Sequence, residues 1–299
     1  MASARDIKRR IKGVKSTGKI TRAMEMISAV KMRKAIASVL AIRPYAKASI
    51  ALLEQLSLAV GSGGHPLLLN RPVKRALYVV IASNRGLCGG FNAQVTKRLR
   101  MLIQEDGDRE HRFIVIGKKA ENAVRRFQGE VIATFSDVLN LPTAESMRPI
   151  AKVIIEEFEA ERVDRVVMVY TDYISVLTQE VKVRGLLPVA LKDTKKALNE
   201  MQPEAQEKTA VLQAEYVIEP SPKKVLWRMI PRLIEMELYH AVLESNASQE
   251  SARMLAMRNA TDAAKDMVSD LTLAYNQLRQ AKITQEIAEL SAGMAAVTR

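Results

Sequence analysis

One cysteine, Cys88, is all the sequence offers, which excludes a disulfide framework. No CxxC or Cys/His cluster is present to hold a structural zinc. Long apolar runs are missing as well. The longest, Ala76 to Ala82, is far too short to span a bilayer, so no integral membrane segment is expected. His65, His111 and His240 are the only histidines and lie in separate segments without metal spacing, and neither GxSxG nor HExxH occurs. Aromatics make up only 4% of the chain. What is abundant argues against disorder: 48% of the 299 residues are hydrophobic, enough to bury one or two sizeable domains.

Positive charge is abundant too, and it is localised. The chain carries 46 Lys and Arg against 33 Asp and Glu, a formal +13. Residues 1–47 hold thirteen of those bases (Arg5 to Lys47) with two acids, Asp6 and Glu25, a net +11. The other 252 residues carry 33 bases against 31 acids, a net +2. A nearly neutral protein with one strongly basic arm points to nucleic acid, an anionic membrane, an acidic protein partner or an import signal. No apolar h-region follows the first charges, against a secretory signal. Helical patterning runs on toward residue 58, against a removable presequence.

That arm reads as one long helix from Ala2 to Val60. Ile7, Ile11 and Val14 make one i, i+4, i+7 apolar set, and Ile20, Met24 and Ile27 repeat it. Pro44 is expected to kink or break it near Ile42–Arg43, and the Gly-rich stretch from Gly61 ends it. At ~1.5 Å per residue such a helix is about 80 Å long.

Residues 61–220 read as an α/β unit. Arg75–Ser83, Arg112–Gly117, Val131–Phe135 and Val163–Asp172 have buried-strand patterns, with helices expected over Asn92–Gln104, through Phe127 and over Thr143–Arg162. Leu177, Gln179, Val181 and Val183 alternate as a half-exposed antiparallel edge strand would. Strands alternating with helices imply a mainly parallel sheet with right-handed crossovers. Residues 192–209 read as a solvated linker. The loop from Ser83 to Asn92 lies where phosphate-binding loops lie, but it is neither GxGxxG nor GxxxxGK[ST]. A tight βα turn explains Gly86, Gly89 and Gly90, and Cys88 has no identifiable base to make it a nucleophile.

The third segment starts at Ser221-Pro222, an N-cap followed by proline at the first helical position. Helix is expected from there to about Ala296. Met254, Met257, Thr261, Ala264, Val268, Leu271, Tyr275 and Leu278 step alternately by three and four, a heptad seam that calls for a partner helix. Roughly 110 Å of helix is implied. The fold expected is therefore a long antiparallel two-helix coiled coil of the terminal segments, 1–60 and 221–299, with a Rossmann-like α/β domain, 61–220, inserted between them. After Glu289 the chain is almost uncharged and mostly small, which suits insertion into a narrow apolar bore; simple fraying of a terminus is the other reading.

The residues also resemble a known family. IKGVKSTGKITRAMEM at 11–26, KMRKA at 31–35, RGLCGGFN at 85–92, ARMLAMRNATD at 252–262, LTLAYN at 271–276 and RQAKITQE at 279–286 are similar, in this order, to the gamma subunits of F-type ATP synthase. Asn84 stands where the family usually has Asp, and Met294 follows Gly293 where Ala is usual. With Cys88 alone the chain resembles the bacterial form and lacks the thiol switch of the chloroplast form. The resemblance implies a rotating shaft with no catalytic residue, cofactor or metal, turning inside three alpha and three beta subunits. It implies a foot on the epsilon subunit and the ring of c subunits, at the cytoplasmic face of the plasma membrane. Membrane contact would come only through the c ring. Carried over by motif, Met24, Arg33, Lys34 and Arg253 are implied to meet the beta subunits, and Arg279, Gln280, Thr284, Glu286 and Glu289 to form a polar catch. Leu290, Met294 and Val297 would sit in an apolar bearing, and Arg85, Gly86, Cys88, Gly89 and Gly90 would belong to the foot. The rival reading is a basic coiled coil that binds nucleic acid; it leaves the uncharged C-terminal tip unexplained.

Overall fold

The structure is a computed structural model and describes residues 4–60, 65–140, 142–189 and 219–297. The linker read at 192–209 lies outside the described residues. Contacts group the chain into two units: Met1–Ala29 with Arg253–Arg299, and Val30–Ala252. Two helices contribute to both, α1 (Ala4–Val60) and α5 (Pro222–Val297).

The first unit is a pair of helices. On α1 Ala4, Ile7, Ile11, Val14, Gly18, Thr21, Glu25 and Ser28 are half-buried or buried and alternate by three and four, with Met24 and Ala29 half-buried beside them. On α5 the expected seam from Met254 to Tyr275 is inward throughout, with Met257 and Thr261 buried. Thr21 Oγ1 lies 2.8 Å from Thr261 Oγ1, and a Cβ on Gly18 would stand 3.4 Å from that of Ala264. Moving three residues back on α1 thus moves three forward on α5, so the helices are antiparallel. Small residues let the backbones approach here, and that corrects one expectation. Ile20 and Ile27 do not continue the seam; both are more than half exposed. Of the apolar repeat at 20, 24 and 27 only Met24 turns partly inward, because the seam passes through Gly18, Thr21, Glu25 and Ser28, residues that an apolar count does not select.

The same register brings Ala4 opposite Leu278. Residues 279–297 therefore run past the first described turn of α1, a projection of ~28 Å at 1.5 Å per residue. Every residue from Arg279 to Met294 is exposed.

The second unit is a three-layer sandwich. Its strands are β1 (Arg75–Ile81), β2 (Glu110–Ile116), β3 (Glu130–Phe135), β4 (Arg165–Tyr173) and β5 (Gln179–Leu187). They lie in the order β3-β2-β1-β4-β5, all parallel except β5, which pairs antiparallel with β4 at the edge. β1 is central and packs helices on both faces, which is why Arg75–Ile81 is a near-continuous apolar run. On one face α2 (Phe91–Asp106) and α3 (Lys118–Arg126) cover Tyr78, Val80, Phe113, Val115 and Val169. On the other, α4 (Ala144–Glu159) and the first part of α5 cover Val79, Ile81, Ile114 and Met168. Thr143 caps α4 and forms a capping box with Ser146, so the helix starts where the sequence placed it. From Leu238 to Ser251 α5 is buried at almost every position, beyond what an amphipathic helix needs. Met32, Ala35 and Val39 of α1 are buried in this unit too. Pro44 does not break α1, which runs helical through it. The carbonyl of Leu40 that loses its donor belongs to a half-exposed residue, where water can serve it.

Candidate functional site

The helical pair presents a cationic sleeve. Arg5, Lys8, Arg9, Arg10, Lys12, Lys15, Lys19 and Arg22 are all exposed on α1. The two acids of this stretch are committed locally: Asp6 holds Arg9 at 2.9 Å and Glu25 holds Arg22 at 3.1 Å. The small seam leaves a groove of about 720 Å³, floored by Val14, Gly18, Thr261, Ala264 and Val268 and walled by Lys15, Lys19, Arg22 and Lys265. Such a surface attracts anionic groups without requiring any one fixed pair. Met24 is half-buried at the edge of the seam. Arg253 is 8% exposed, so its guanidinium is placed as a packed group and not as a surface charge. Arg33 and Lys34 are exposed and belong to the other unit.

The projection beyond Leu278 has its own pattern. Ile283, Ile287, Leu290 and Met294 are exposed and step by four, three and four, forming one apolar stripe. Arg279 and Gln280 stand at its head, four and three residues before Ile283, with Thr284 four residues after Gln280. Glu286 pairs with Lys282 at 3.7 Å and Glu289 accepts from Gln285 at 2.8 Å, so these two carboxylates are steadied along the helix. The side chain of Val297 lies outside the described residues. An apolar stripe headed by a polar pair on an exposed helix is built to be gripped from outside.

The glycine-rich loop sits at the C-terminal end of β1, and its hydrogen bonds turn inward. Asn92 Oδ1 accepts from the backbone N–H and the hydroxyl of Ser83 at 3.1 and 2.9 Å, and its amide donates to Cys88 Sγ at 3.1 Å. The thiol is 1% exposed, so it serves the turn. Asn84 reaches across two further loops. Its amide donates to the Ser136 carbonyl at 2.6 Å and its oxygen accepts from Lys118 N–H at 3.2 Å. Gly89 has φ 55°, and Gly117 at the next loop has φ 100° with no room for a Cβ against the Ala82 carbonyl. Arg85, Gly86, Gly89 and Gly90 are exposed. At this end of the sheet Ser251 of α5 donates to the Val176 carbonyl at 2.8 Å. Trp227, near the start of α5, packs on His65 beside the other end of the unit, where Val189 after β5 donates to Leu67. The loop residues therefore stand at the end where α5 leaves this unit, away from its start.

Two features escaped the sequence reading. One is the Thr21–Thr261 pair, hidden because threonine reads as polar in an apolar count. The other is a charged cluster in which half-buried Asp172, Lys182, Arg184 and Glu237 surround buried His240 and Glu244. Its signal was present: Glu237, His240 and Glu244 repeat at three and four on α5, and Lys182 and Arg184 alternate on β5.

A family model described as ATP synthase matches residues 3–297. An ATP synthase gamma chain from Heliobacterium modesticaldum is 39% identical over 99% of this chain and 100% of its own length. One from Herpetosiphon aurantiacus is 40% identical, with 100% of both chains covered. Among solved structures, a chain in the rotor of the Euglena gracilis mitochondrial ATP synthase is similar at TM-score 0.61 and 21% identity, covering 94% of this chain and 98% of that one. A chain in the OSCP/F1/c-ring structure of the same enzyme gives TM-score 0.65 at 21% identity, with 98% and 94% covered.

Proposed function

This chain belongs to the ATP synthase gamma chain family, and on that premise we propose that it is the central shaft of a rotary ATP synthase. Ion flow through a membrane sector would turn it, and its turning would drive ATP synthesis on other subunits; run backwards, ATP hydrolysis would turn the shaft. The partners proposed are three alpha and three beta subunits around the helical pair, with an epsilon subunit and a c-subunit ring at the foot. The location that follows is peripheral, on the cytoplasmic face of the plasma membrane. No helix among the described residues is long and apolar enough to cross a membrane, which fits attachment through the ring.

The observation that carries this reading is the exposed projection from Arg279 onward, polar at its head and apolar along one stripe, continuing a basic helical pair. The mechanism needs asymmetry. A shaft that touched three identical sites identically could not favour a different state at each, because a population shifts only with differential contact. Here one side of the pair carries the basic face of α1 and the projection carries an apolar stripe on one side only. Catalysis would then belong to the surrounding subunits. Arg279 and Gln280 would act as the catch, with Thr284, Glu286 and Glu289 supporting it, and Leu290, Met294 and Val297 would run in the bearing. Co-expression with alpha and beta subunits tests the proposal: the three should purify as one complex that hydrolyses ATP. Recovery of alpha and beta together without this chain, or this chain bound instead to duplex DNA with a steep salt dependence, would contradict it.

A further inference from the structure

Beyond the shaft, and independent of it, one histidine ties three segments of the second unit together. His65 is 2% exposed and stands just before the short 3-10 helix Pro66–Leu68. Its ring Nδ1 accepts the backbone N–H of Leu67 at 3.1 Å. The carbonyl of the same Leu67 accepts from Val189 N–H at 2.9 Å, just past β5. The Leu67 side chain is fully buried in the core to which α4 and α5 contribute. The His65 ring lies 4.3 Å, centre to centre, from the ring of Trp227 near the start of α5. Leu67 is therefore held by both its N–H and its carbonyl, and the imidazole is what holds the N–H.

A ring nitrogen accepts a hydrogen bond only while it carries no proton, so this contact requires the neutral imidazole with its hydrogen on Nε2. A proton on Nδ1 would set a donor against a donor and place a cation in a buried site. Among the described residues no carboxylate of the surrounding elements is placed to offset that charge. Lys223, Lys224 and Arg228 of α5 are cations themselves and exposed. Arg71, beyond the turn, is committed to the Phe158 carbonyl at 2.9 Å and to Glu161 at 3.4 Å. Glu157 of α4 is taken by Arg112 and Arg162 at 3.4 and 2.9 Å.

We propose that His65 is an acid-operated latch: neutral, it pins Leu67 between the end of β5 and the start of α5, and protonated, it releases them. Burial pulls the imidazole below its ordinary value. The sign follows. The unfolded chain takes up this proton near pH 6.5, the native chain only at lower pH. The latch's stabilisation is thus complete above about 6.5 and is lost as pH falls through the lower folded value.

Trp227 is the only tryptophan in the chain, so its fluorescence reports on this contact directly. On acidification of the full chain its emission should shift to longer wavelength and become more open to quenching by acrylamide. The midpoint should lie below about 6.5, and the change should precede any loss of helix by circular dichroism. In His65→Asn the side-chain oxygen can still accept from the N–H two residues on but cannot titrate. Its emission should stay level across the same range. If His65→Asn fails to fold, nitrogen NMR of the parent's imidazoles carries the test. With three histidines in the chain the signals are few, and the His65 ring should hold its hydrogen on Nε2 and titrate below about 6.5. Level emission in the parent, a shift that comes only with loss of helix, the same shift in His65→Asn, or a His65 ring that titrates at or above about 6.5 overturns the proposal.

Discussion

At the residue scale, single polar side chains decide geometry that apolar patterning leaves open. Asn84 uses both ends of its amide, one on Ser136 and one on Lys118. A carboxylate could keep the second bond but would face the Ser136 carbonyl with no proton to give. Asn84→Asp should lose about 1–2 kcal/mol, the lost bond being offset in part by a negative charge at the start of α3. Urea unfolding measures it, and a variant as stable as the parent would show that the three loops are not tied through this residue. The Thr21–Thr261 pair makes a second case. Each hydroxyl can turn to its own helix, onto Gly18 or Met257, or across the seam. Thr21→Val and Thr261→Val should each cost about 0.5–1.5 kcal/mol, and the double variant should cost less than their sum. Strict additivity in that cycle would mean the two hydroxyls do not interact.

At the element scale, the seam explains what the sequence could and could not reveal. The heptad from Met254 to Tyr275 was legible because its members are mostly apolar and their spacing does not drift; Leu278, the last member expected, is 37% exposed. Its partner stripe on α1 was only half legible. Ile7, Ile11 and Val14 announced it, but Gly18, Thr21, Glu25 and Ser28 continue it with residues that no hydrophobic count selects. The sheet was legible because a central parallel strand must be apolar on both faces. The charged cluster around Glu244 was not, because a charge on a helix reads as solvated until strands are seen to cover it. Gly18 follows from the same close approach. Gly18→Ala should be neutral or slightly stabilising, since a Cβ at 3.4 Å is in tight contact but helix propensity gains about 1 kcal/mol. Gly18→Leu should cost about 1–3 kcal/mol by forcing the helices apart. Hydrogen exchange over residues 257–268 reads the difference, and equal protection in both variants would contradict the packing. The projection behaves in the opposite way. It buries nothing, so removing residues from Arg279 onward should leave the thermal midpoint almost unchanged.

At the scale of the whole molecule, stability and function separate along the chain. The core lies on the two faces of the sheet, while the basic sleeve and the projection are exposed and available to partners. Arg279→Ala and Gln280→Ala should therefore fold normally yet slow ATP-driven ion pumping in the assembled enzyme severalfold. Pumping at the parental rate in both would remove them from the catch. The charge belongs to this scale too. Of the formal +13, +11 lies in residues 1–47, so high salt should weaken capture of the chain by alpha and beta subunits more than it weakens the chain's own fold.

The central claim is that the chain turns. With Lys119→Cys on the exposed start of α3 carrying a bead, and the beta subunits fixed to a surface, ATP should drive one-way rotation with three pauses per turn. ATP hydrolysis by the same complexes with the bead at rest, or moving without direction, would contradict the account.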